Sequence, residues 1–235
     1  MTKIDKYDNS IEQESISDIE IFIPISDTLI PYIYYCKITP NQITILSTLS
    51  TLFSVYLFFY NNYLCLFYYF LGYLLDTIDG RLARKYNMVS ILGMILDLVS
   101  DNISNIPLLI VFFMKSMFSY LKFFLFLLVI IFLSLFNISF AINETISCYN
   151  KKKNENFYFI KKEIISKSEF NNTYIGNIFL LINKTSYYSY KLLFKEEISK
   201  KNIQKLKYKL RLIKEFGPGN LNIFITIIMF IFLIF

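Results

Sequence analysis

The chain has no histidine, and its three cysteines, Cys36, Cys65 and Cys148, form no CxxC pair. Imidazole and thiolate are the usual ligands of zinc and copper, so neither metal has an evident site. An odd cysteine count without recurrent spacing gives no disulfide framework. Charge is scarce: 18% of the 235 residues are charged, against 55% hydrophobic and 19% aromatic, far from the balance of a soluble domain. The N-terminal charges are of the wrong kind for a signal peptide. Asp5, Asp8, Glu12, Glu14, Asp18 and Glu20 fall where a basic segment would stand. No internal repeat is evident, and the length fits one domain.

What is there instead is a series of long apolar runs. They cover about 42–60, 63–80, 89–114, 117–142 and, shorter, 221–235. Most approach the ~20 residues that cross a bilayer as a helix. Residues 18–37 mix apolar side chains with two prolines and read as an interfacial helix lying along the membrane. The fold class expected is an all-α integral membrane protein, a polytopic bundle of about five to six transmembrane helices with an N-terminal interfacial helix. The expected divisions are an N-terminal segment (1–36), a transmembrane catalytic core (37–142), a Lys- and Asn-rich cytoplasmic segment (143–220) and a C-terminal span (221–235).

Four aspartates interrupt the second and third runs, in the pattern Asp76-x2-Asp79-Gly80-x2-Ala83-Arg84-x8-Gly93-x3-Asp97-x3-Asp101. Carboxylates in hydrocarbon are expensive and repel one another, so a divalent cation is the simplest neutralising partner. Spacings of three and four place each pair on one face of a helix. Hard oxygen ligands alone suit Mg2+ or Mn2+. Gly80 leaves room for close approach to the backbone, and the planar fork of Arg84 suits a phosphate or pyrophosphate.

The run LLDTIDGRLARKYNMVSILGMILDLVSDN resembles the motif of the CDP-alcohol phosphatidyltransferases at all eight of its fixed positions. The resemblance is firm over about 37–114 and thins beyond. It implies a CDP-linked donor whose pyrophosphate meets the metal, attack by an alcohol hydroxyl, release of CMP and formation of a phosphodiester lipid. It implies Asp76, Asp79 and Asp97 as metal ligands, with Asp101 as the general base and a further metal contact. Gly80, Ala83, Arg84 and Gly93 would shape the nucleotide pocket. The segments LDTIDGRLAR and LGMILDLVSD look most like phosphatidylinositol-synthase-type members, which join CDP-diacylglycerol to inositol. Those commonly carry a basic residue after the last aspartate, where this chain has Asn102. The Thr39-Pro40-Asn41 start also resembles choline and ethanolamine phosphotransferases, which use a CDP-aminoalcohol and diacylglycerol. Those often place a histidine beside the third aspartate, and this chain has none. An inactive membrane scaffold of the same fold is the non-enzymatic alternative.

Charge placement gives an orientation. With the N-terminus inside, 22 of the 24 lysines and arginines lie on the inner side, leaving Lys115 and Lys122 near the other face. This positive-inside pattern sets the motif at the cytoplasmic surface. The net charge of +6 is thereby assigned to lipid headgroups, with no nucleic-acid partner expected. The expected partners are a CDP-linked donor, a small alcohol or diacylglycerol acceptor, membrane lipids and a second copy of the chain. Residues 195–216, with Ile203, Leu206, Leu210, Ile213 and Phe216 at helical intervals, read as a basic amphipathic helix. The stretch 150–175 reads as loop, and 174–194 as a weak apolar helix. The glycosylation-type triplets at Asn137, Asn143, Asn171 and Asn183 reach no lumen in this orientation.

Overall fold

A computed structural model describes residues 14–117, 119–150, 157–193, 208 and 214–234. Among these the chain is helical, with short turns and no strand. A wide π-helical turn, Asp18–Phe22, leads into α1 (Ile23–Tyr35). There follow α2 (Pro40–Phe59), α3 (Leu64–Lys85), α4 (Ile91–Ser116), α5 (Tyr120–Asn150), α6 (Phe157–Ser166), α7 (Tyr174–Leu193) and α8 (Pro218–Ile234). The chain forms two units. One comprises residues 15–133 with 218–235, and the other 1–14 with 134–217. Each is described by itself.

The first unit holds the motif. Its helices begin where local chemistry dictates. Thr39 accepts a bond from the Gln42 N–H while the Gln42 side chain accepts from the Thr39 N–H, a reciprocal cap with Pro40 at the first helical position. Ser90 caps α4 by accepting from the Gly93 N–H at 2.9 Å. The helix ends are more unusual, because a chain with six glycines has few to spend on them. Lys37, Asn61 and Asn87 take the left-handed conformation after α1, α2 and α3, with φ of 57–58°. Each lets the next amide reach back five residues: Ile38 to Ile33, Asn62 to Leu57, and Met88 to Ala83. Asparagine tolerates this region better than most residues, and that is how two of the turns are made without glycine.

α2 and α3 pack antiparallel through a polar seam. The hydroxyls of Ser47, Ser50 and Ser54 donate to the carbonyls of Gly72, Tyr68 and Cys65 at 2.7–2.9 Å. A Cβ at Gly72 would collide with the Thr51 hydroxyl and approach the Ser47 carbonyl at 3.3 Å, so the glycine permits the close approach. The opposite side of α2 exposes Ile45, Leu46, Leu49, Phe53 and Tyr56. Small polar residues inside and large apolar ones outside invert the soluble pattern and suit a helix facing lipid.

Behind α3, Phe22 and Ile30 join Ile43, Leu74, Ile78 and Leu82 in a buried apolar cluster. Asp27 of α1 forms a bidentate ion pair with Arg81 at 2.8 Å, and Tyr34 stacks on Tyr86 at 3.7 Å. At the other end of the bundle Phe58, Phe112 and Phe232 pack together, and Lys115 bonds the Asn61 side chain. Thus the α2 start, the α3 end and the α4 start share one end of the unit, and the two isolated lysines belong to the other. The N-terminal segment is locked to α8 by Asp18. Its buried carboxylate accepts from the Ser15 hydroxyl, the Tyr73 hydroxyl and the Gly219 N–H at 2.6–3.1 Å.

Among the described residues, three helices are long and apolar enough to cross a membrane: Pro40–Phe59, Ile91–Ser116 and Tyr120–Asn143. The expected count was five to six. α3 matches them in length but carries the motif's charges, and α8 is equally apolar yet only 17 residues long. α8 begins at Pro218, so Gly219 and Asn220 do extend the terminal run. In the second unit the structure corrects the reading of 150–175 as loop. α6 lies within it and buries Ile165, since its sequence FYFIKKEIIS is more apolar than its lysines suggest. α7 is the apolar helix expected over 174–194, with Thr173 capping its first turn through the Gly176 N–H. The amphipathic helix expected at 195–216 lies largely outside the described residues.

Candidate metal centre

Three elements converge on the motif. Asp76 and Asp79 are three apart on α3, one turn of helix, and Asp97 lies two turns into α4. Each offers a carboxylate oxygen, and the three oxygens lie within 4.8 Å of one another. Asp79 is buried, while Asp76 and Asp97 are half-buried. Oxygens sharing one Mg2+ at 2.0–2.1 Å sit about 3–4 Å apart, so the cluster needs little adjustment to close on an ion. Three carboxylates this close and this shielded from water repel one another strongly unless a cation or protons intervene. Their chemistry fits a hard divalent metal.

Asp101 follows Asp97 by one turn of α4 and is exposed. The three grouped carboxylates are Asp76, Asp79 and Asp97; Asp101 stands outside that group, at the rim.

Gly80 matters because of Arg84. A Cβ at Gly80 would lie 3.2 Å from one terminal guanidinium nitrogen of Arg84 and 3.6 Å from the other. The guanidinium therefore folds back over the glycine, one turn along α3. Ala83 is half-buried beside it. Gly93 plays a similar part in the first turn of α4, where a Cβ would come within 3.0 Å of the Asn41 side-chain oxygen. Gly93 thus seats the α2 start against the α4 start.

One residue of this region was not singled out from the sequence: Thr44, whose buried hydroxyl donates to an Asp79 carboxylate oxygen at 2.5 Å. A threonine at a helical interval from Ser47, Ser50 and Ser54 was the available signal.

A family profile, "CDP-alcohol phosphatidyltransferase", matches residues 37–189, more than half of the chain. The chain belongs to the CDP-alcohol phosphatidyltransferase family. The match reaches well past residue 114, where the motif-based resemblance thins. A probable CDP-diacylglycerol–inositol 3-phosphatidyltransferase 2 of Arabidopsis thaliana is 34% identical over 84 residues, 36% of each chain. The CDP-diacylglycerol–inositol 3-phosphatidyltransferase of Saccharomyces cerevisiae is 56% identical over 36 residues, 15% of this chain and 16% of that one. An archaetidylinositol phosphate synthase of Pyrococcus horikoshii is 40% identical over 73 residues, 31% of this chain and 39% of that one. The similarity thus spans well under half the length of these relatives. No solved structure gives a significant match. Family membership and the three apolar helices make the chain an integral membrane protein, and a divalent metal accords with both the family and the carboxylate cluster.

Proposed function

We propose that this CDP-alcohol phosphatidyltransferase family member is a phospholipid-synthesis enzyme that transfers a phosphatidyl group from CDP-diacylglycerol to inositol or another small polyol. The observation that carries the reading is the cluster of Asp76, Asp79 and Asp97 at the junction of α3 and α4. The names of the Arabidopsis and yeast relatives support the donor and the acceptor.

In this reading Asp76, Asp79 and Asp97 hold Mg2+ or Mn2+, with Asp101 as a further contact. When bound, the ion supplies charge neutralisation to the donor's pyrophosphate. The acceptor oxygen bonds to the phosphorus that bears diacylglycerol. The bond from that phosphorus to the bridging oxygen breaks, and CMP leaves with the electron pair. Asp101, exposed at the rim, takes the hydroxyl proton, a role that general-base groups fill for about 10²–10⁴ in rate. Gly80, Ala83, Arg84 and Gly93 line the nucleotide pocket, with the Arg84 fork toward phosphate. The distribution of lysines and arginines supports a cytoplasmic site, where soluble acceptor and CMP exchange with water. A second copy of the chain is the remaining proposed partner, to be tested by the mass of the purified protein in detergent.

The test is CMP release in liposomes from CDP-diacylglycerol with Mg2+, supplying inositol, glycerol 3-phosphate or serine in turn. Inositol-dependent CMP, lost in Asp101→Asn, is the expected result. Release only from CDP-choline or CDP-ethanolamine with diacylglycerol would replace the proposed donor. Release from neither, by folded protein, would leave the scaffold reading.

A further inference from the structure

Thr44 is 4% exposed and Asp79 5%, and the bond between them is the shortest that the α2 seam makes to α3. The seam's serines donate to backbone carbonyls and so hold one helix to another. Thr44, the first member, instead reaches a side chain of the carboxylate cluster. We propose that Thr44 is a positioning residue of the metal centre, fixing the Asp79 carboxylate so that its other oxygen faces the ion. The inference rests on the metal-centre reading above.

The local chemistry favours such a role. A carboxylate has about four lone-pair sites, so accepting a hydrogen bond from Thr44 is compatible with coordinating a cation. Threonine is stiff at χ1, so its hydroxyl is held in place by the backbone of α2. That backbone is fixed in turn by the Thr39–Gln42 cap one turn earlier. The same hydroxyl lies 3.1 Å from the Pro40 carbonyl, the usual partner of a threonine in a helix interior. A single proton serves the nearer and charged acceptor better. Groups that hydrogen-bond a metal ligand from outside typically control metal affinity by 10–100-fold.

The test is Mn2+ affinity of the purified protein in detergent, measured by the loss of the free-ion EPR signal without nucleotide or lipid. Thr44→Val keeps the shape and removes the hydroxyl. It is expected to weaken Mn2+ binding by about 10–100-fold. Thr44→Ser keeps the hydroxyl and is expected to stay within about threefold of wild type. Ser47→Ala, which removes a seam bond to backbone, is expected to lower the melting temperature in EDTA without changing Mn2+ affinity. If Thr44→Val fails to fold, Thr44→Ala takes its place in the comparison with Thr44→Ser. Wild-type affinity in the variant lacking the hydroxyl overturns the proposal. So does an equal loss in Thr44→Ser, which would make Thr44 a packing residue. Wild-type protein that binds no Mn2+ overturns the metal centre itself, whereas Mn2+ binding indifferent to Thr44 overturns only this inference.

Discussion

At the scale of single residues, the carboxylates of the motif differ in exposure. Asp79 is buried beside a hydroxyl, Asp76 and Asp97 are half-buried in the cluster, and Asp101 is exposed at its rim. Asp97→Asn should therefore weaken metal binding with little loss of fold, because it removes one member of a mutually repelling set. The measurement is Mn2+ affinity beside the melting temperature in EDTA. Asp18 is the opposite case. Three donors converge on it, and in Asp18→Asn one of them would face an amide that cannot accept. The expected cost is about 1–3 kcal/mol, read as a lower thermal midpoint, with no change in Mn2+ affinity. The aspartates of the motif were legible in the sequence because charge inside an apolar run stands out. Asp18 was not, since it sat among six acidic residues and its partners Tyr73 and Gly219 are 55 and 201 positions away. Thr44 was missed for a related reason: hydroxyls in apolar runs carry no charge to draw notice.

Among the helices, the α2–α3 pair holds the site's shape. Gly72 sets their separation, and Gly72→Ala would press a methyl on the Thr51 hydroxyl and on the backbone of α2. A loss of about 1–3 kcal/mol is expected, with a lowered melting temperature as the readout. The capping threonine and the apolar runs made the extents of α2, α3 and α4 readable to within a few residues. The C-terminal turns of α1, α2 and α3 were not readable, because Lys37, Asn61 and Asn87 do without the glycine that normally marks such turns. The count of spans was obscured by α3, whose motif charges make it a poor membrane helix by composition. α6 was hidden by the lysines around it.

On the scale of the whole molecule, the proposed orientation puts the motif end of the first unit in the cytoplasm. Cys36 is exposed and follows α1 at that end, while Cys65 is buried near the other. In a Cys148→Ser background, a membrane-impermeant maleimide should label Cys36 only when the cytoplasmic face is accessible. Labelling of Cys36 from the outer face of sealed cells would reverse the orientation. The positive-inside pattern was open to inspection in the sequence; the convergence of three chain segments on Asp79 required the fold.

The proposed metal-dependent transfer is tested by CMP release from CDP-diacylglycerol and inositol in proteoliposomes, stripped with EDTA and then titrated with Mg2+. No release is expected after stripping, recovery with added Mg2+, and a rightward shift of that titration in Asp97→Asn. Undiminished release in EDTA, or an unchanged Mg2+ titration in Asp97→Asn, would contradict a metal-dependent transfer at this cluster.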